Sequence, residues 1–208
     1  MTSFLILAVN LNPKASTRQG IQQIARIFRK RFGARVVERH FLRVEPDLLQ
    51  RVDAVILGPQ GTPFDAYGPD LMHLFEVVTG TINKPTLGIC GGCQAMVLAE
   101  GGHIGPLQGG PVTGSYDGRT KHVGWREVYS IKDNALLPIG SRATVKVSHV
   151  EATTRLPACY QIVARSDYCA VQMIKHRDAP RWGVQFHPEQ GRDGYTIIER
   201  FIGQLTKS

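Results

Sequence analysis

Long apolar runs are missing from this sequence of 208 residues. No apolar run approaches the roughly 18 residues that a bilayer span requires. The N-terminal apolar stretch, residues 4–9, is short, lacks a preceding basic region and continues directly into a helix pattern. It therefore predicts a buried first strand and not a signal peptide, and we expect a cytoplasmic protein with no membrane partner.

Cysteine is scarce, and the four that are present are Cys90, Cys93, Cys159 and Cys169. Without a signal peptide they are not expected to form a disulfide framework, so free thiols or a catalytic thiol are favoured. Cys90 and Cys93 form a C-x-x-C pair, but no second C-x-x-C and no paired histidine segment accompanies it. The sequence therefore predicts no metal site.

Acidic residues are outnumbered, 17 against 25 Lys and Arg, which leaves a formal charge of +8. Much of the basic excess lies in the first quarter of the chain, where residues 19–32 have apolar side chains at helical spacing. Most arginines there fall on the solvated face of the predicted helix. Since aromatic residues make up only 8% and no nucleic-acid motif is present, we expect no nucleic-acid partner. A solvated face, or a docking face for an acidic protein, is the favoured interpretation.

The first half of the chain alternates apolar strands with helix-like segments, which predicts a mostly parallel α/β sheet covered on both faces. Strands are predicted at residues 4–9, 35–37, 53–57 and 85–89, with helices at 19–32, 71–78 and from 94 onwards. In the second half, half-exposed strands predict an antiparallel extension before a final amphipathic helix. We expect a single domain over residues 1–208, because no repeat or linker interrupts it.

The strongest chemical motif is Gly88-Ile89-Cys90-Gly91-Gly92-Cys93-Gln94, between a predicted strand and a predicted helix. A cysteine at such a turn lies at the carboxyl edge of the sheet, where ligand sites form in open α/β folds. The positive end of the following helix favours a thiolate, and glycines allow a tight turn. Cys90 is therefore a candidate nucleophile.

A second motif is Gly183-Val184-Gln185-Phe186-His187-Pro188-Glu189. A thiol needs a base, and the base needs a third group that fixes its tautomer. His187 and Glu189, two residues apart, have the side chains for these two roles. The C-x-x-C spacing also matches thioredoxin-like motifs, but that interpretation leaves the Phe-His-Pro-Glu segment unexplained.

Together, in this order, the two motifs resemble those of the class I (triad) glutamine amidotransferases. The resemblance runs through nearly the whole chain and implies a flavodoxin-like fold that hydrolyses glutamine to glutamate and ammonia. The ammonia would pass to a separate synthetase subunit, and the resemblance implies no cofactor. Within the family, Ser148-His149, Leu156-Pro157 and Ala164-Arg165-Ser166 are similar to the glutaminase units of GMP synthases.

The resemblance also implies roles for individual residues. Cys90, His187 and Glu189 would be the catalytic triad, and the backbone N–H of Gly91 would be one oxyanion-hole donor. The residues implied in holding the substrate, glutamine or another γ-glutamyl amide, are Gly58, Gln94, Ser148, His149 and Val150.

The loop after the third buried strand departs from the family pattern. Relatives commonly read Gly-Gly-Pro-Gly-Ser-Pro, whereas this chain has Gly58-Pro59-Gln60-Gly61-Thr62-Pro63. Proline has no N–H, so Gln60 or Gly61 must supply the second oxyanion donor, or the hole assembles only on activation. Two alternatives stay open: a free-standing γ-glutamyl amide or peptide hydrolase, and a catalytically weak regulatory protein on this scaffold.

Overall fold

A computed structural model describes residues 4–107 and 115–206. The strands are β1 (Leu5–Asn10), β2 (Arg35–His40), β3 (Ala54–Leu57), β4 (Thr86–Ile89), β5 (His103–Pro106), β6 (His122–Ser130), β7 (Arg142–His149), β8 (Glu151–Arg155), β9 (Tyr160–Ser166), β10 (Cys169–His176) and β11 (Arg181–Val184). The α-helices are α1 (Gln19–Phe32), α2 (Pro46–Arg51), α3 (Asp70–Gly80), α4 (Gly91–Ala99) and α5 (Asp193–Leu205). Short 3-10 helices span Phe41–Arg43, Phe64–Tyr67 and Pro188–Gln190.

Nine strands form one sheet in the order β2-β1-β3-β4-β11-β10-β9-β6-β7. The first five of these strands are parallel, and β10, β9, β6 and β7 continue the sheet in antiparallel pairs. β5 and β8 form a separate antiparallel pair. The predicted fold class, a flavodoxin-like α/β sheet with an antiparallel extension, is therefore confirmed.

The parallel strands are buried on both faces because alternate residues enter two different cores. Ile6 and Ala8 of β1 pack with α1 and α5, whereas Leu7 and Val9 pack with α2, α3 and α4. This two-sided burial explains why the strands read as uninterrupted apolar runs. Within the described ranges, none of the helices combines the length and the apolar character that a bilayer span needs.

Several local predictions differ from the structure. The helix expected from residue 94 begins at Gly91, and the loop expected over residues 58–69 contains the 3-10 helix Phe64–Tyr67. α2 and the β5–β8 pair were not predicted. They are short elements whose sequences carry little periodicity, so tertiary contacts determine them.

The β6–β7 hairpin is the outer part of the antiparallel extension. Eight register pairs join its two strands, from His122↔His149 to Tyr129↔Arg142. β6 joins β9 through two register pairs, at Tyr129 and Ser130. At the other end, an isolated bridge links Lys146 of β7 to His187, which follows β11.

Candidate active site

Cys90 occupies a strained turn between β4 and α4. Its backbone angles are φ 50° and ψ −105°, a conformation that non-glycine residues rarely adopt. The Cys90 N–H donates to the carbonyl of Val184 at 2.7 Å, so the neighbouring strand β11 holds the turn. Such strain persists only where the surroundings over-determine it, and it is typical of functional sites. The turn places the sulfur at the carboxyl edge of the parallel sheet.

Two glycines after Cys90 allow the loop that follows β3 to approach very closely. A Cβ atom on Gly92 would lie 2.1 Å from the Leu57 carbonyl oxygen. One on Gly91 would lie 2.8 Å from the backbone nitrogen of Gln60. Only residues without a side chain fit here, which is the physical reason for the Gly-Gly sequence.

Polar groups from two other elements surround the Cys90 sulfur. Gln185 Nε2 lies 3.7 Å from Sγ and can donate to it, and Sγ itself lies 3.9 Å from the Ser148 carbonyl oxygen. Gln185 is fixed in turn by Gln94, whose Nε2 donates to Gln185 Oε1 at 3.2 Å and to the Glu151 carbonyl at 2.8 Å. The buried Gln94–Gln185 pair therefore orients a donor toward the sulfur.

His187 and Glu189 form a hydrogen-bonded pair beside the thiol. His187 Nδ1 lies 2.8 Å from Glu189 Oε1, and because a carboxylate accepts, Nδ1 carries the proton. The backbone N–H of His187 donates to the Lys146 carbonyl at 2.7 Å. The Glu189 side chain is 1% exposed, so its carboxylate is held in place and shielded from water.

The charge state of His187 reflects its neighbours. Burial opposes the imidazolium form, but the Cys90 sulfur and the Glu189 carboxylate together outweigh it and raise the pKa of His187 well above its ordinary value. No described residue makes a conventional hydrogen bond to His187 Nε2, and that nitrogen faces the Cys90 thiol.

The loop after β3 presents its backbone N–H groups unequally. Gly61 N–H donates to Asn12 Oδ1 at 3.2 Å, so it is already engaged. Gln60 N–H has no acceptor among the described residues and lies against Gly91. Pro59, which has no N–H, packs instead against Gly20 at the start of α1. Of the two N–H groups, that of Gln60 is therefore the one left without an acceptor among the described residues.

A cavity of about 280 Å³ opens beside Cys90. Six of the predicted oxyanion and substrate residues line it with Cys90: Gln60, Gly61, Gln94, Ser148, His149 and Val150. Four predicted site residues do not line it: Gly58, Gly91, His187 and Glu189. Gly58 is buried beneath the loop, where its N–H donates to the Val9 carbonyl at 3.0 Å. Five further lining residues were not predicted: Tyr116, Asp117, Arg119, Lys121 and Glu151.

Buried polar groups form one wall of this cavity. Tyr116 OH donates to Glu151 Oε2 at 2.8 Å, and burial raises the pKa of both side chains. His149 Nδ1 donates to the Glu151 carbonyl at 3.0 Å, and burial lowers the pKa of His149 to about 4. His149 is therefore a neutral imidazole at ordinary pH, which argues against a role as an acid–base group.

The cysteines other than Cys90 play no part in the cavity. All four are free thiols, and Cys93 is buried against Gly183. Burial raises the pKa of Cys93, so its thiol stays protonated and packs as an apolar group. Over the described ranges, no cluster of three or more His, Cys, Asp and Glu side chains could hold a metal ion.

Comparisons with known proteins agree on one family. Residues 20–204 match the family model of the class-I glutamine amidotransferases. The chain is 33% identical over 162 residues to the glutamine-hydrolyzing GMP synthase subunit of Methanosarcina barkeri, covering 76% of this chain and 77% of that protein. It is 31% identical over 157 residues to the protein of the same name from Archaeoglobus fulgidus, covering 74% and 76%.

Solved structures share the fold. A Thermoplasma acidophilum protein provisionally described as a GMP synthase subunit superposes with a TM-score of 0.79 at 22% identity, covering all of this chain and 96% of that one. A glutamine amidotransferase from Thermotoga maritima superposes with a TM-score of 0.69 at 21% identity, covering 100% and 86%.

Proposed function

Because the chain belongs to the class-I glutamine amidotransferase family, we propose that Cys90, His187 and Glu189 hydrolyse the side-chain amide of glutamine. The observation that carries this proposal is the strained Cys90 turn beside the hydrogen-bonded His187–Glu189 pair. A nucleophile, a base and a group that orients the base are the three parts that amide hydrolysis through a thioester requires.

In the first half of the reaction, the Cys90 thiol transfers its proton to His187 and the thiolate attacks the amide carbon. The oxygen of the tetrahedral intermediate becomes negative, and the N–H groups of Gly91 and Gln60 are the donors proposed to stabilise it. His187 then donates its proton to the departing nitrogen, which leaves as ammonia, and the glutamyl thioester remains. The raised pKa of His187 supports the ion pair between the Cys90 thiolate and the His187 imidazolium, from which these steps begin.

In the second half, water attacks the thioester carbonyl while His187 takes one of its protons. The collapse of this second intermediate breaks the carbon–sulfur bond, returns a proton to Cys90 and releases glutamate. Glu189 stabilises each imidazolium and keeps the proton on Nδ1, so that Nε2 exchanges protons with the reacting groups. Gln185 and Gln94 hold the thiolate in its attacking position.

The amino-acid end of glutamine carries both charges of a zwitterion, and the cavity has both complements. The Glu151 and Asp117 carboxylates suit the α-ammonium group, and the Lys121 side chain suits the α-carboxylate. Tyr116 fixes the Glu151 carboxylate from the other side. These groups favour a substrate with a free α-ammonium and a free α-carboxylate, which glutamine and γ-glutamyl amides share, over a glutamine residue inside a peptide chain.

The fate of the ammonia is inferred from the relatives. The proteins to which the chain is 31–33% identical are named as glutamine-hydrolyzing subunits of GMP synthase, and such a component implies a second one that uses ammonia. We infer that a separate synthetase subunit receives the ammonia from this site.

The test is glutamate release from glutamine by the purified chain, compared with Cys90→Ala. The matched control is Cys159→Ala, which removes a thiol that does not line the cavity. We expect turnover in the wild type and the control and none in Cys90→Ala. Equal turnover in all three proteins would refute the assigned nucleophile. Faster turnover of a γ-glutamyl peptide than of glutamine would refute the ammonia-supplying role and favour a free-standing hydrolase.

A further inference from the structure

A second cavity, of about 720 Å³, lies beside the carboxyl ends of β1 and β2. Its walls include Asn10, the last residue of β1, and His40, the last residue of β2. It shares no lining residue with the cavity at Cys90. Its volume falls within the roughly 300–1,000 Å³ typical of small-molecule sites.

This cavity adjoins the position in the sheet where open α/β folds bind ligands. The strand order reverses at β1, with β2 on one side and β3 on the other. Loops that leave adjacent strands in opposite directions open a crevice at such a reversal, and ligands occupy it. The cavity adjoins this crevice at the ends of β1 and β2 and has no lining residue from β3 or from the loop 58–63.

The charges around the cavity favour an anion. Glu38 is neutralised by Arg18 at 3.1 Å and by Arg29 at 2.9 Å. Arg39 and Arg43 also line the cavity, and neither has a carboxylate within ion-pair distance among the described residues. Two guanidinium groups without acidic partners are suited to a phosphate group.

The remaining polar groups favour a hydroxylated molecule. Glu45 is the other carboxylate in the wall, and a carboxylate at the edge of a phosphate site can accept hydrogen bonds from sugar hydroxyls. His73 also lines the cavity, and its shielded Nε2 has no hydrogen-bond partner in the described part of the chain. A cavity whose wall combines guanidinium groups for a phosphate with acceptors for hydroxyls fits a sugar phosphate.

Asn12 connects this cavity to the loop beside Cys90. His40 Nε2 donates to the Asn12 carbonyl at 2.7 Å, and the Asn12 side chain donates to Asn10 Oδ1 at 2.9 Å. Asn12 Oδ1 in turn accepts the Gly61 N–H at 3.2 Å. Asn10 and His40, which line the second cavity, therefore hold Asn12 in place. Asn12 in turn fixes Gly61, the residue next to Gln60.

We propose that the cavity binds a small sugar phosphate or nucleoside monophosphate, and that its occupancy acts through Asn12 on the loop 58–63. The consequence for catalysis rests on the proposed glutaminase function, whereas binding and the effect on the loop do not. A ligand that shifts His40 or Asn10 alters the Asn12–Gly61 hydrogen bond and with it the position of the Gln60 N–H.

Binding is tested by isothermal titration of the full chain with ribose 5-phosphate, AMP and inorganic phosphate. We expect saturable binding of at least one organic phosphate to the wild type. In the double variant Arg39→Gln/Arg43→Gln the affinity should fall at least about tenfold, because the loss of even one charge-assisted hydrogen bond weakens binding by about that factor. The matched control Lys30→Gln/Lys132→Gln removes the same charge from exposed positions outside the cavity and is expected to bind as the wild type does.

Coupling is tested by the rate at which iodoacetamide alkylates Cys90, which requires no glutamine turnover. Saturating ligand should change this rate severalfold in the wild type, whereas Asn12→Ala should bind the ligand and show no change. Absence of binding at millimolar concentrations, equal binding to the arginine double variant, or binding without any change in the alkylation rate would each overturn the proposal. A chain without glutaminase activity that still passes both tests would refute only the proposed function.

Discussion

We expect His149 to make the stability of the protein depend on pH. One substitution at this position separates its contribution from those of the other titrating groups. The residue is 4% exposed, and its Nδ1–H donates to the Glu151 carbonyl, while Nε2 has no partner among the described residues. Burial lowers its pKa from 6.5 to about 4. Between these values the unfolded chain takes up a proton at His149 and the folded chain does not.

The size of the effect follows from that difference. Stability is fully present above pH 6.5 and is lost as pH falls toward 4, because the lower pKa belongs to the folded state. Each pH unit in that window costs about 1.4 kcal/mol, so between pH 7 and pH 5 the residue removes about 2 kcal/mol from the free energy of unfolding. For a chain of this length, that is a fall of roughly 4–8 °C in Tm.

The perturbation is His149→Asn, since an asparagine amide can keep the donor to Glu151 and cannot titrate. Urea unfolding of both proteins, followed by circular dichroism between pH 5 and 8, gives the two free-energy profiles. We expect them to run parallel from pH 7 to 8 and the wild type to lose about 2 kcal/mol more than the variant by pH 5. Parallel profiles across the whole range would show that His149 is not held neutral by burial.

Two further predictions concern the catalytic turn and its packing. Gln185→Leu removes the donor aimed at Sγ of Cys90. Because one hydrogen bond to a charged group corresponds to about a tenfold effect, alkylation of that thiol should slow by about tenfold. An unchanged rate would contradict the proposed role of Gln185. Gly92→Ala forces a Cβ against the Leu57 carbonyl and should cost about 2 kcal/mol or more in thermal unfolding. Gly203→Ala, in open space on α5, is the matched control and should instead raise the free energy of unfolding by about 0.5–1 kcal/mol. A similar loss of stability in both variants would refute the steric argument.

The parts of the fold and of the site that depend on residue type can be predicted from the sequence. Buried strands, a cysteine flanked by glycines and a histidine followed by Pro-Glu are recognisable, and the parallel sheet brings the turn at Cys90 next to the end of β11. The catalytic roles of Cys90, His187 and Glu189 stay predictions until turnover is measured. The expected single domain over residues 1–208 likewise stays a prediction.

Features that depend on backbone direction or distant pairing were not recoverable from the sequence. The choice between Gln60 and Gly61 depends on which N–H is already engaged, and the acceptor for Gly61 is Asn12, 49 positions earlier in the chain. Lys121 and Glu151 carry no motif and meet at the cavity only because β6 and β7 pair in one register. Glu151 had one signal, since it directly follows the matched segment that ends at Val150.

The attachment of the β6–β7 hairpin has a consequence for how activity is lost on heating. The hairpin carries Ser148 and His149, and its Lys146 carbonyl holds the backbone of His187, yet two register pairs at Tyr129 and Ser130 join it to β9. A unit joined through so short a ladder opens at a lower free energy than the central strands do. Amide hydrogens of the hairpin should exchange before those of β1 and β3, and inactivation should precede the cooperative loss of secondary structure. We therefore expect the site to open locally while the central sheet stays folded.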